Sequence, residues 1–227
     1  MLKIRVDNQE IEAPEGMTLL QACLENGIYI PNLCYLKSRD IPSASCRMCF
    51  VEIEGERQPV TSCTVVVRDK MVVKTDSPAL RRLQKTALRL LLSVHDVDCK
   101  NCHANKKCEL QNIAKFLKVG LKPKRLQKFL KEIRIDETHP FIIHYPNRCV
   151  LCGKCVHVCR GKHGQSVLTF AKRGFDTIIS TYRSTDVSST SCERCDICVE
   201  TCPVGALVLR SNQHSRIDGE TFQEVNA

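Results

Sequence analysis

The chain has 227 residues, 43% of them hydrophobic but none tryptophan, which provides for small cores rather than one large one. A formal charge of +9 suggests nucleic acid or an acidic partner, and sixteen cysteines suggest disulfides or metal. No apolar export segment follows Met1, and no apolar run approaches the ~20 residues that span a bilayer. Secreted disulfides and membrane insertion are therefore disfavoured, and thiols in a reducing cytoplasm are expected.

Residues 2–6 and 9–13 alternate apolar and polar side chains about a turn at Asp7 and Asn8, the pattern of a hairpin with one buried face. Thr18 caps a helix running to Asn26, with Gly27 beyond it, and further strands are expected at 50–54 and 71–74. Ser77 and Pro78 open a long helix that ends at His95 and carries Leu80, Leu83, Ala87, Leu88, Leu91 and Leu92 on one face. A second helix is expected from Cys108 or Glu109 to Lys118, stopped by Gly120, and a third over 123–131, both basic on one side. Residues 138–146, with Pro140 and Pro146, read as a linker. Strands are expected at 166–170 and 177–180, and the tail after Leu209 is polar and expected to fray.

On this frame fifteen cysteines and one histidine form spaced sets. Residues 149–159 and 192–202 repeat C-x2-C-x2-C-x3-C, the second copy followed by Pro203. That spacing wraps three cysteines around one cubic iron-sulfur cluster and sends the fourth to the neighbouring one. The expected [4Fe-4S] ligand sets are thus Cys149, Cys152, Cys155 and Cys202, and Cys192, Cys195, Cys198 and Cys159. Structural zinc takes cysteines in pairs around one tetrahedron and fits overlapping triplets poorly.

The first set, Cys34, Cys46, Cys49 and Cys63, is spaced C-x11-C-x2-C-x13-C and keeps the C-x2-C centre and distant fourth ligand of a [2Fe-2S] site. Ser43, Ala44 and Ser45 before Cys46 are small enough for backbone N–H groups to face the sulfurs. The middle set is Cys99, Cys102 and Cys108. Three thiols leave one position open, which His95 fills in the spacing H-x3-C-x2-C-x5-C, with His103 as the competing donor. Cys23, on the first helix, reads as a small buried apolar residue.

Cluster thiolates revise the charge. An all-cysteine oxidised cluster with its ligands carries roughly −2 and the histidine-ligated one roughly −1, so four clusters bring about −7 and leave the loaded protein at about +2. A basic stretch persists at Lys115, Lys118, Lys122, Lys124, Arg125, Lys128, Lys131 and Arg134, read as either a solvated face or a docking surface.

Several stretches carry a family resemblance: Ile30-Pro31-Asn32-Leu33-Cys34, Ser45-Cys46-Arg47-Met48-Cys49, Cys108-Glu109-Leu110-Gln111, His139-Pro140-Phe141, Asn147-Arg148-Cys149-Val150-Leu151-Cys152 and Cys202-Pro203-Val204-Gly205-Ala206. The chain resembles the iron-sulfur diaphorase subunit of NAD-linked bidirectional [NiFe] hydrogenases and is similar to the N-terminal part of the large peripheral subunit of respiratory complex I. Two complete C-terminal quartets and a chain that stops soon after them favour the hydrogenase relative.

The resemblance implies an α+β fold: a β-grasp [2Fe-2S] ferredoxin domain (1–76), a small helical domain with a histidine-ligated [4Fe-4S] site at His95, Cys99, Cys102 and Cys108 (77–137), a two-[4Fe-4S] ferredoxin-like domain (138–210) and a polar tail (211–227). It implies one [2Fe-2S] and three [4Fe-4S] clusters relaying single electrons. The implied partners are a flavin- and NAD(P)-binding diaphorase subunit and a hydrogenase or formate dehydrogenase catalytic subunit, with ferredoxin as a further candidate. No G-x-G-x-x-G or P-loop is present for hydride chemistry on this chain itself. The different-class alternative, a zinc or nucleic-acid-binding module, predicts a colourless protein with steeply salt-dependent binding.

Overall fold

A computed structural model describes residues 1–122, 127–164, 167–181, 192 and 195–210. Strands β1 (Leu2–Val6) and β2 (Gln9–Ala13) form the expected antiparallel hairpin, with Leu2 opposite Ala13 and Val6 opposite Gln9. Alternation puts Ile4, Val6, Ile11 and Ala13 on the buried face. Strands β3 (Phe50–Ile53), β4 (Val60–Thr61) and β5 (Val72–Lys74) complete a mixed sheet in the order β2-β1-β5-β3-β4, in which only β1 and β5 run parallel. Helix α1 (Leu19–Glu25), capped by Thr18 Oγ1 accepting from Gln21 N–H, lays Leu19, Leu20, Ala22 and Cys23 against that sheet in a β-grasp arrangement. Burial drives the Cys23 thiol up to about 12, the behaviour of an inert packing residue.

Helix α2 (Pro78–Ser93) starts with Pro78 in its first turn and Ser77 Oγ accepting from Leu80 N–H. Ser77 also donates to Glu52 Oε1 at 2.7 Å, so the cap clamps the helix to β3. Leu80, Leu88 and Leu92 are buried as expected, but Leu83 is exposed and Gln84 takes the inner position. The Gln84 amide reaches the Phe50 carbonyl, an acceptor no leucine could satisfy.

Helix α3 (Glu109–Phe116) follows. The expected helix over 123–131 is not formed in its described part, 127–131. There Phe129 N–H goes to the Ser93 carbonyl at the end of α2, and Lys131 exchanges two hydrogen bonds with the Asn147 side chain. Tertiary partners outcompeted local propensity.

The segment read as a linker contains β6 (Ile142–His144), paired antiparallel with β9 (Leu207–Leu209). Between them lie α4 (Lys154–His163), the hairpin β7 (Leu168–Ala171) and β8 (Ile178–Thr181), and α5 (Ile197–Glu200). His139 anchors the entry to β6 because its Nδ1 accepts from both Phe141 and Ile142 N–H. The expected frayed tail lies outside the described residues from 211 onward.

Candidate metal centres

The first set is carried by the loop after α1 and the 3-10 turn Ser62–Thr64. Cys34, Cys46, Cys49 and Cys63 are all buried. The Sγ atoms of Cys34 and Cys46 are 3.4 Å apart, and Leu33 N–H donates to Cys46 Sγ at 3.4 Å. The Cys46 thiol, assisted by Ser45 and Cys46 backbone N–H groups, holds Cys34 down to about 5, and Cys63 holds Cys49 down to about 7. The two donors, Cys46 and Cys63, are correspondingly raised.

Ala44 and Arg47 on either side of Cys46 have φ of 48° and 53°, a costly left-handed conformation that turns successive N–H groups inward as an anion-binding concavity. A cavity of about 240 Å³ lined by Cys34 and Cys63 opens beside the loop. Buried thiols, N–H donors aimed at sulfur and adjacent space suit a [2Fe-2S] core.

The middle set forms where α2 stops. His95 is 9% exposed, and its Nδ1 is buried without a hydrogen-bond partner. Burial lowers its pKa to about 4, which keeps the imidazole neutral with a lone pair available, the form that binds metal. His103, the competing donor, is exposed. Cys99 lies in the 3-10 turn Cys99–Asn101, and Cys108 is the N-cap of α3. Burial raises the Cys108 thiol, while Gln111 and Leu110 N–H groups at the start of α3 pull it down. Cys102 and Cys99 are near enough to Cys108 to raise it as well.

Burial drives Cys155 up, and the next contributions come from Cys149, Cys152 and Cys202, with a last one from Cys198. Cys198 is pushed to about 12 by burial, then by Cys159, Cys195 and Cys192. Cys159 is thus within electrostatic reach of the 192–198 triplet, and Cys202 of the 149–155 triplet. Leu151 N–H points at Cys149, Lys154 N–H at Cys152, and Ala206 N–H donates to Cys202 Sγ at 3.3 Å. Leu151 has φ 52° and Gly153 φ 73°, so the turn between the thiols is itself left-handed.

Among the described residues no three His, Cys, Asp or Glu donors converge tightly enough for a single ion. None of the sixteen cysteines is in a disulfide.

Three side chains at these sites carry no spacing signal in the sequence. His163, at the end of α4, places Nε2 3.3 Å from Cys195 Sγ. Lys131 sits near enough to Cys149 for each to shift the other's proton affinity. Arg148 is buried on the turn that accepts a hydrogen bond from the residue after His95.

The sites are knitted together. One core holds Cys34 and Cys46 from the first set, Cys108 from the second and Cys152 from the third around Leu88, Leu92, Leu110 and Ile113. Ser43 Oγ donates to the Cys152 carbonyl at 3.1 Å, and Glu109 N–H to the Pro203 carbonyl at 2.9 Å. Gly205, at φ 64°, lies so close to Ala104 that an added Cβ would come within 2.6 Å of it. A second core carries Cys155 and Cys198 together.

Residues 1–78 match a family described as a 2Fe-2S iron-sulfur cluster binding domain. Residues 84–121 match the NADH-ubiquinone oxidoreductase-G iron-sulfur binding region, and residues 139–208 the ferredoxin-like domain of NADH-quinone oxidoreductase subunit 3. The chain is similar to a G-type subunit of the NADH-quinone oxidoreductase of Rhizobium meliloti, 40% identical over 92% of this chain and 24% of that protein. It is also similar to the NADP-reducing hydrogenase subunit HndD of Solidesulfovibrio fructosivorans, 36% identical over 92% of this chain and 36% of that protein. It therefore spans 24% and 36% of these two relatives' length. A chain of the NAD+-reducing [NiFe]-hydrogenase in its H2-reduced state superposes with a TM-score of 0.79 at 28% identity, covering 94% of this chain and 89% of that one. No helix among the described residues is long and apolar enough to cross a membrane.

Proposed function

We propose that this chain, a homologue of hydrogenase and NADH-quinone oxidoreductase iron-sulfur subunits, relays single electrons between a flavin- and NAD(P)-binding subunit and a hydrogenase catalytic subunit. Iron-sulfur clusters supply one-electron redox chemistry when bound. Cys34, Cys46, Cys49 and Cys63 hold a [2Fe-2S] cluster. Three [4Fe-4S] clusters take His95 with Cys99, Cys102 and Cys108; Cys149, Cys152 and Cys155 with Cys202; and Cys192, Cys195 and Cys198 with Cys159.

The chain's own residues do the rest. Buried leucines exclude water, backbone N–H groups hold the thiolates charged, and the loop contacts fix the spacing between sites. The observation that carries the reading is the single core that joins thiols of three sites, because electron transfer needs its centres held close in a rigid, dry medium. Support for hydrogen as the terminal substrate comes from the match over 89% of the hydrogenase chain. The 40% identity to a quinone oxidoreductase subunit favours, as a second reading, the equivalent relay in a complex I-like enzyme. Ferredoxin is a third partner in the version of the reading that divides electrons between two acceptors.

Anaerobically purified protein is expected to be brown and to carry about 14 iron atoms per chain. Near-stoichiometric zinc with no iron would reject the relay.

A further inference from the structure

The most unusual charge among the described residues is Arg148. It is 7% exposed, its Nη1 is buried without a hydrogen-bond partner, and the ion pairs of the described residues all lie elsewhere. Its guanidinium stacks over the Tyr145 ring at 4.4 Å. A guanidinium cannot shed its proton under ordinary conditions, and a buried cation lacking a counter-charge is strongly disfavoured. The stack on Tyr145 offsets a small part of that cost.

The surroundings name the missing anion. The 3-10 turn Pro146–Arg148 is tied to the end of α2 by Asp96 N–H donating to the Asn147 carbonyl at 2.7 Å. Asp96 directly follows His95 and Asn147 directly precedes Arg148, so that hydrogen bond holds the histidine's and the arginine's segments together. Cys149, its chain neighbour, has Lys131 as its own nearby cation. An imidazole nitrogen and a guanidinium nitrogen, both buried and without a hydrogen-bond partner, thus belong to two segments tied together at the histidine-bearing end of α2.

Resting on the relay reading above, we propose that Arg148 is the positioning counter-charge of the centre held by His95, Cys99, Cys102 and Cys108, and that it raises that centre's reduction potential. The physical reason is elementary. Taking up one electron makes the centre one unit more negative, and a fixed cation in a low-dielectric site stabilises the reduced form more than the oxidised one.

The test is an EPR-monitored redox titration of the full, iron-loaded chain, with the centre identified as the [4Fe-4S] signal lost in His95→Ala. In Arg148→Gln its reduced-to-oxidised ratio at fixed ambient potential should fall about tenfold, equivalent to 59 mV for a one-electron couple, while the [2Fe-2S] signal stays put. Arg148→Lys, which keeps the charge, should stay within about threefold of the unaltered protein, half a decade on the same scale.

Unshifted Arg148→Gln, an equal shift of every centre, or a lysine variant displaced as far as the glutamine one would overturn the inference while leaving the relay intact. If Arg148→Gln does not assemble the centre, the lysine variant decides by the same criterion, and loss of the centre in both variants also overturns the inference. Unaltered protein without iron would instead overturn the relay reading itself.

Discussion

The N-terminal sheet and the C-terminal ferredoxin-like region bury cysteines in opposite ways. Around α1 the thiols of Cys49 and Cys63 sit at the edge of a core built by Ile4, Val6, Leu19, Leu20, Ile30, Val51 and Val73. In the C-terminal region the buried core is Ile142, Leu168, Ile179 and Leu207 around Cys155 and Cys198. Each buried aliphatic side chain contributes about 1.5–3 kcal/mol before chain entropy is subtracted. The first core buries sixteen residues and the second six, so the second region is expected to depend far more on whatever binds its thiols. One region presents ligands from a stable scaffold, and the other is scaffolded by its ligands.

Metal removal should expose that contrast most strongly. After anaerobic chelation, amide exchange protection is expected to collapse across α4, α5 and β9 while β1 and β5 keep theirs. Uniform loss across both regions would erase the distinction, since structural metal centres are worth up to ~10 kcal/mol or more of folding energy.

Leu88, in the core shared by three sites, sharpens the comparison next. Leu88→Ala should cost about 3 kcal/mol and lower the occupancy of both the first and the middle centres, because Cys34, Cys46 and Cys108 line the same core. Leu20→Ala, at similar cost, should disturb the first alone. Iron content and thermal unfolding of the two variants check this.

Acid should separate the regions more gently. His144 on β6 is buried with both ring nitrogens unpartnered, and burial lowers its pKa to about 4, aided by Lys131 and opposed by Asp136. Its folded pKa lies below the unfolded value of about 6.5, so the unfolded chain binds the extra proton in between. The contribution is therefore complete above about 6.5 and is lost as pH falls toward 4, amounting to roughly 3 kcal/mol. Exchange at β6 should quicken in that window, and His144→Leu should flatten the dependence.

The smallest expected effect is at His163. Replacing it with alanine removes the contact to Cys195 Sγ and should lower the potential of that centre by an amount equivalent to about 1 kcal/mol. The N-terminal [2Fe-2S] signal should not move.

The same contrast explains what the sequence revealed. The β1–β2 hairpin and the capped start of α2 were legible because alternation, Ser77 and Pro78 act locally. β6 was hidden between Pro140 and Pro146, since its partner β9 lies far along the chain and pairs only in the folded state. Two-residue β4 is too short to show a period. The helix expected at 123–131 failed over 127–131 because Ser93 and Asn147 claim its backbone groups. For the sites, spacing proposes the cysteines and His95 as ligands, whereas Arg148 and His163 are single side chains placed by tertiary structure that no spacing could mark.

The account rests on thiols drawn from distant segments closing around separate iron centres. An anaerobic crystal structure with anomalous scattering at the iron edge tests it most directly. It should show four iron sites, with Cys202 on the site of Cys149, Cys152 and Cys155, and Cys159 on that of Cys192, Cys195 and Cys198. Each quartet closing on itself, or pockets holding zinc, would contradict it.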